Sequence, residues 1–477
     1  MRGLLLLTLI LVAATATAAP PLSDRIASYT IRATLDPQAR RVTGSERITW
    51  RNPSDVPVGE LQFHLYLNAF RDRNSTFMRE SGGRLRGDSF DGDRFGSIEI
   101  TSMKTAAGED LLAALEFIHP DDDNADDRTV ARVPLPRPVA PGATVEVDVE
   151  FTSALPGIFA RTGYKDDFYF VAQWFPKLGV FEPRGRRGRA EPGWNCHQFH
   201  SNSEFYADFG VSDVTLTVPE RFVVGATGAL VSQFLESDGS KIYRYRQEDV
   251  HDFAWTADPD YVVGTRTYSQ PGFPEVLITA LVQPEHAATV ERHLDACERS
   301  LDWFNRTVGP YPYATLTVVD PEEGAEGAGG MEYPTLITAG FEVIPTDALP
   351  ADDDPMLEIL VLHEFAHQYW YGMVATNEFE EPWMDEGMTS YFERRGMAEI
   401  WPAKRALWLA FGGVNLFRLP VDNPELAPYN RYAALPQVVR RGPIVNKSWA
   451  FGDGYSYGTN SYARPSVALA TLEGYLG

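Results

Sequence analysis

Between Tyr29 and about Thr265 the chain alternates apolar and polar residues with a period of two. YTIRATLD, GSERITWRN, GELQFHLYLN, ATVEVDVEFTS, VSDVTLTVPE, RFVVGATG and KIYRYRQED each send every second side chain to one face, the pattern of a half-buried strand. Gly, Pro and Asp clusters separate them, which predicts a large all-β domain over residues 20–266. Three interruptions read as loops. Residues 81–96 are rich in Gly, Arg and Asp. The acidic stretch 120–128 lacks the central Gly of a calcium loop and reads as a solvated turn. The basic stretch 183–193 reads as exposed.

After about residue 270 the period changes to that of a helix. Following Pro284, the apolar residues Val290, Leu294, Cys297, Leu301 and Phe304 step by four, three, four and three. ATLTVVD (314–320) reads as a strand. The next segment offers Asp352 to Asp354 as caps and Pro355 in the first turn, then a helical run to Gly372. PWMDEGMTSYFERRG predicts another helix, ending at Gly396. The expectation is an α+β multidomain protein, with an α/β domain over 267–477 after the β domain.

At 477 residues, one core is too few, and 44% apolar content with 27 Phe, 21 Tyr and 10 Trp supplies material for several. The net charge of −24, with no offsetting basic stripe, argues against nucleic acid as a partner. The opening MRGLLLLTLILVAATATAAP sets one Arg before an apolar run and a small-residue flank. It predicts a signal peptide over 1–19, cleaved near Ala18 or Ala19. No later stretch is long and apolar enough to cross a bilayer, so the mature chain is expected to be exported, periplasmic or secreted, without a transmembrane segment. In such a compartment Cys196 and Cys297 could pair. Two separate thiols fit the sequence equally well, since Cys297 sits on the apolar face of its helix and Cys196 in a polar, Trp- and His-rich segment.

The chemistry concentrates in VLHEFAHQYW (361–370). One helical turn apart, His363 and His367 project from the same face and can share a metal ion, with Glu364 beside them as a candidate base. The preceding LEILVL is strongly apolar, so this helix should be buried, where two histidines without a shared role would be costly. Glu386, 19 residues after His367 on the next predicted helix, is the candidate third ligand; a His-His-Glu set leaves a fourth position open.

HEFAH, eighteen further residues, Glu386 and the upstream GGMEYP (329–334) together resemble the aminopeptidase N family of zinc metallopeptidases. WFNRTVGPYPYATLTVV, PWMDEGMTSYFE and the opening LDPQARRVTGSERITWRN extend the likeness over nearly the whole mature chain. The resemblance implies a saddle-like N-terminal all-β domain followed by a thermolysin-like catalytic domain. It implies one Zn2+ per chain held by His363, His367 and Glu386, with Glu364 as general base and then acid. It implies an oxyanion-donating tyrosine, for which Tyr462 matches best and Tyr455 and Tyr457 are rivals. Glu332 would bind the free α-ammonium of a peptide substrate, with Gly329, Gly330 and Met331 lining the approach. Gln173 matches a second amine contact, or is a structural glutamine; Asp385 would orient a ligand. Two departures stand out: Tyr333, where Asn is usual, and an ending at LEGYLG, where the family continues into a C-terminal helical domain, which is therefore expected to be missing here. The expected activity is removal of N-terminal residues from peptides. The alternatives are a same-fold endopeptidase or other hydrolase, and an inert peptide-binding scaffold.

Overall fold

A computed structural model describes residues 20–85, 88–90, 92–340, 356–402, 406–411, 414–420 and 442–476. The signal segment 1–19 and the capping residues Asp352 to Pro355 lie outside the described residues.

Alternation builds the first half as expected. In Ala27–Asp36 the burial pattern alternates strictly after the first residues, with Ile31, Ala33 and Leu35 inside. This strand lies in a seven-stranded sheet whose order is Ala229–Leu235, Ser240–Val250, Gly210–Pro219, Ala27–Asp36, Arg41–Arg51, Thr144–Ala154 and Ser97–Thr105. Its pairing with Gly210–Pro219 is parallel and the other pairings are antiparallel. Two four-stranded and two two-stranded sheets join it in the β domain, around a core that includes Trp50, Trp174 and Trp255. Both cysteines are buried and unpaired.

A further four-stranded sheet begins at Val262–Tyr268 and continues through Val276–Val282, Thr315–Val319 and Leu336–Thr338. The expected boundary at 266/267 therefore falls inside its first strand. Helices α1 (Val290–Thr307) and α2 (Met356–Trp370) pack against it, and α3 (Pro382–Ile400) packs on those two helices. Leu294, Cys297, Leu301 and Phe304 of α1 are buried, and Phe304 stacks on Tyr369 of α2 with ring centroids 4.8 Å apart. The α3 helix does not stop at Gly396 but runs through it. A Cβ there would come within 2.8 Å of Leu362, so this Gly marks close contact between α2 and α3 rather than a helix end. Among the described residues the last helix is α4 (Arg464–Leu476).

Two loops carry contacts to partners far away in sequence, which no local pattern announces. The 120–128 stretch is a turn solvated only in part: Asp127 is buried and accepts from the Thr76 and Thr129 backbones, while Asp121 contacts His197 Nδ1 at 2.6 Å. In the basic loop, Arg187 donates to Glu182, Glu380 and Glu381, the last two immediately before α3. His197 Nε2 also meets Glu380, at 3.0 Å, and Trp449 stacks on His200 with centroids 4.3 Å apart. The β domain thus grips the entry to α3.

His200 makes this junction sensitive to pH. Burial disfavours its charged ring, but Asp121 and Glu80 outweigh that and lift its pKa from 6.5 to about 9. A raised folded pKa contributes stability that is complete below the unfolded value and lost as pH climbs through the folded one, on the order of 3 kcal/mol at most. Thermal melts of the parent should fall between pH ~6.5 and ~9. His200→Gln should flatten that slope; parallel pH profiles for the two proteins would refute it.

Candidate metal and peptide site

The spacing of α2 places His363 and His367 one turn apart, with Nε2 atoms 3.2 Å from each other. Close packing of α2 on α3 adds Glu386, whose Oε2 is 3.4 Å from each of those nitrogens. The three atoms form a nearly equilateral triangle. Ligands of a tetrahedral zinc with bonds of about 2.0–2.1 Å are spaced about 3.3 Å apart, so the donor set fits that ion. Glu386 Oε2 is buried with no hydrogen-bond partner, which is the condition of an oxygen reserved for a cation.

Each ligand is steered from behind. His363 Nδ1 meets Glu393 Oε2 at 2.8 Å, and His367 Nδ1 meets Asp385 Oδ1 at 2.5 Å and Thr389 Oγ1 at 3.1 Å. Glu386, Thr389 and Glu393 recur at i, i+3 and i+7, so one face of α3 supplies a ligand and two supports. Glu386 is held below the usual carboxylate range: burial opposes this, but the His367 and His363 rings outweigh it. Burial likewise disfavours a charged His363, yet Glu386 and Glu393 raise its pKa to about 10.

Glu364 and Glu332 are both buried. A carboxylate oxygen of each lies, with a His367 nitrogen, in a group spanning no more than 4.8 Å. Burial raises both carboxyls, Glu332 to about 8. The segment carrying Glu332 is held on α2 by Gln368, which donates to the Glu332 and Tyr333 carbonyls at 3.1 Å each and accepts from Thr335 N at 2.8 Å. Thr335 adopts φ +59°, an uncommon and strained conformation for a β-branched residue. Gly330 has φ +63°, and a Cβ on it would sit 3.4 Å from Glu364 Oε1, so this position suits glycine on both counts. Met331 is buried next to it and pairs with Thr338 through two backbone positions. Tyr333 is buried with its ring 5.7 Å from that of Phe170, filling the junction with the β domain.

From the β domain, buried Arg161 forks onto Glu204, with Nη2 2.5 Å and Nε 3.1 Å from its oxygens. Its Nη1 reaches the Gly330 carbonyl at 2.8 Å. Gln173 does not join this group. Its amide is committed to Asp252 at 2.5 Å and Lys177 at 2.7 Å, and among the described residues it has no hydrogen bond to Glu332. Of the three tyrosines, Tyr455 is 78% exposed and Tyr457 packs against Phe451. Tyr462 lies at the metal triangle, its hydroxyl donating to Glu386 Oε1 and its ring parallel to that of His363. It rides on a π turn, Thr459–Ala463, a feature frequent at functional sites. Gly387 allows that approach, since a Cβ there would meet Pro465 at 2.5 Å.

Arg161, Gln368, Thr389 and Glu393 escape the sequence reading. Gln368, beside HEFAH, and Glu393, seven residues after Glu386, carry a positional signal; Arg161 carries none.

A profile of the Peptidase family M1 domain matches residues 292–418. The match supports the aminopeptidase N family, the M1 zinc metallopeptidases, as the family that this chain resembles. It is 27% identical over 218 residues to Leucine aminopeptidase 2 of Neosartorya fischeri, covering 43% of this chain and 32% of that one. The Neurospora crassa protein of the same name is 24% identical over 280 residues, covering 56% and 36%. The chain thus spans about a third of the length of these curated relatives. An M1 zinc metallopeptidase from Deinococcus radiodurans shares the fold, with a TM-score of 0.57 at 18% identity over 96% of this chain and 84% of that one. A mutant of that bacterial protein has been solved with a Tyr-Ser-Ala substrate.

The steering carboxylates should matter to metal affinity rather than to folding. Asp385→Ala and Glu393→Ala are expected to weaken zinc by about 10- to 100-fold in competition with a chelating dye. Affinities equal to the parent would show that the rings need no such support.

Proposed function

We propose that this M1 chain is an exported aminopeptidase that binds one Zn2+ and removes residues from the free N-termini of peptides. The observation that carries the reading is Glu332, a buried carboxylate fastened to the metal-bearing helix through Gln368 and adjacent to Glu364 and His367. A substrate α-ammonium paired with Glu332 sets the first peptide bond, one residue further on, beside Glu364.

His363, His367 and Glu386 hold the ion. When bound, zinc supplies a Lewis acid that polarises the scissile carbonyl and lowers the pKa of water towards about 7. Glu364 accepts the proton of the attacking water and returns it to the leaving amine; burial raises its basicity for that task. Tyr462 exchanges its hydrogen bond from Glu386 to the developing oxyanion. Arg161 holds the Gly330 carbonyl, fixing the strand against which the substrate lies.

Aminoacyl p-nitroanilides, free and N-acetylated, test the reading with and without a chelator. The free substrate alone should be cleaved, and only with zinc present. Equal cleavage of blocked and free substrates would favour an endopeptidase, and normal zinc without turnover would favour a scaffold. Glu364→Gln should retain zinc and lose roughly 10²–10⁴ in kcat. Tyr462→Phe should lose roughly 10²–10³ in kcat with little change in KM; near-parental rates in either would remove that residue from the mechanism.

A further inference from the structure

The seven-stranded sheet ends on an open edge. Ala229–Leu235 pairs on one side with Ser240–Val250, and among the described residues no strand pairs with its other side. From Leu230 onward every residue of the strand is exposed, Leu230 by 47% and Leu235 by 55%, with Val231 and Phe234 between them in value. Its outward N–H and C=O groups form a template for a further strand. Edge strands commonly carry a charge or a proline against such pairing, and this one carries neither. The opposite edge of the same sheet, Ser97–Thr105, carries Glu99 and Lys104.

The register fixes which face each residue extends. Leu230, Gln233 and Leu235 stand opposite Tyr245, Tyr243 and Lys241, so they continue the face on which both tyrosines are buried in the core. A bulge at Val231 lets Ala229, Ser232 and Phe234 continue the other face, opposite Arg246, Arg244 and Ile242. The apolar layer of the sheet therefore runs out to exposed Leu230 and Leu235 and stops there. Charge distinguishes the two ends. Arg246, which meets Glu248 at 2.6 Å and is 39% exposed, flanks the first residue of the strand, and exposed Glu236 follows the last. A neutral strip with a cation at one end and an anion at the other matches a reversed copy of itself. On a chain of net charge −24, it is also where two copies meet with little repulsion.

We propose that Ala229–Leu235 is a dimerisation edge: two copies of the chain pair these strands antiparallel about a two-fold axis, joining their seven-stranded sheets into one. The Leu230 end of each copy then covers the Leu235 end of the other, and Glu236 of each comes to the Arg246 end of the other. Such an interface uses the same patch on both copies and consumes the open edge, so assembly stops at two. The inference is independent of the peptidase reading.

Sedimentation velocity of the full chain at about 1–100 µM should show a monomer–dimer equilibrium that goes no further. Phe234→Lys sets like charges on both sides of the axis and should weaken association about tenfold or more. Gln233→Lys, a polar exchange at an exposed position, should do the same and serves if Phe234→Lys fails to fold. Thr101→Lys, exposed on the opposite edge strand, should leave association within about twofold of the parent. Glu236→Arg and Arg246→Glu should each weaken the dimer, and the double variant should restore it, because the exchanged charges again meet in an antiparallel pair. Hydrogen exchange should show the amides of 229–235 gaining protection as concentration rises. A parent that stays monomeric, growth beyond two copies, a dimer indifferent to the strand variants or equally weakened by Thr101→Lys, or a double variant that is not rescued overturns the proposal. So do 229–235 amides already protected in the monomer, which would mean that another segment of the chain covers the edge.

Discussion

The site depends on the close packing of two helices. The packing of α3 on α2, close enough at Gly396 and Leu362 to leave no room for a Cβ, accompanies a Glu386 that stands 3.4 Å from both imidazoles; without that third group the histidines would be two buried rings without a common purpose. The histidine pair is local and follows from helical spacing, whereas the third corner of the triangle is tertiary. That division explains why so many groups on α3 point back at α2. Asp385, Thr389 and Glu393 fix ring orientation, because a donor triangle only a few ångströms across tolerates little rotation of its members.

The β domain contributes to the chemistry by holding loops in place. Arg187 and His197 grip Glu380 and Glu381 just before α3 begins, Phe205 N holds Glu378, and Arg161 holds the Gly330 carbonyl. These contacts fall on the segments that carry Glu332, Glu378 and Glu386. A buried arginine forked onto a buried glutamate contributes little net stability compared with an apolar pair, but its remaining N–H reaches a backbone carbonyl with fixed geometry. Arg161 is thus better understood as a device for placing a strand than as a source of folding energy.

Much of this was legible in the sequence, for identifiable reasons. Alternation locates the strands because one face of each is buried, and the three- and four-residue steps of α1 reappear as Leu294, Cys297, Leu301 and Phe304 in the core. HEFAH and Glu386 are readable because helix geometry ties spacing to direction. What was not legible is set by partners distant in the chain. Nothing local tells that Asp121 will meet His197, that Arg187 will reach Glu380, or that Gln173 will be committed to Lys177 and Asp252. Gly396 misleads for the same reason: glycine ends a helix or admits a neighbour, and only the neighbour decides.

The charges at the site point in one direction. Glu332, Glu364, Glu378, Asp385 and Glu386 are all buried around His363 and His367, and among the described residues none of the five is paired with a Lys or Arg. Burial pushes the Glu332, Glu364 and Glu378 carboxyls up, towards the protonated form, which is how a carboxylate-rich interior limits its own charge when no cation is at hand. A divalent ion at the triangle and an ammonium beside Glu332 would each reverse that tendency locally. Such an interior discriminates by sign before it discriminates by shape. On the proposed aminopeptidase reading, an acylated N-terminus, lacking the positive charge, would have to enter a dry cluster of carboxyl groups with nothing to offer them, and its exclusion would require no steric barrier.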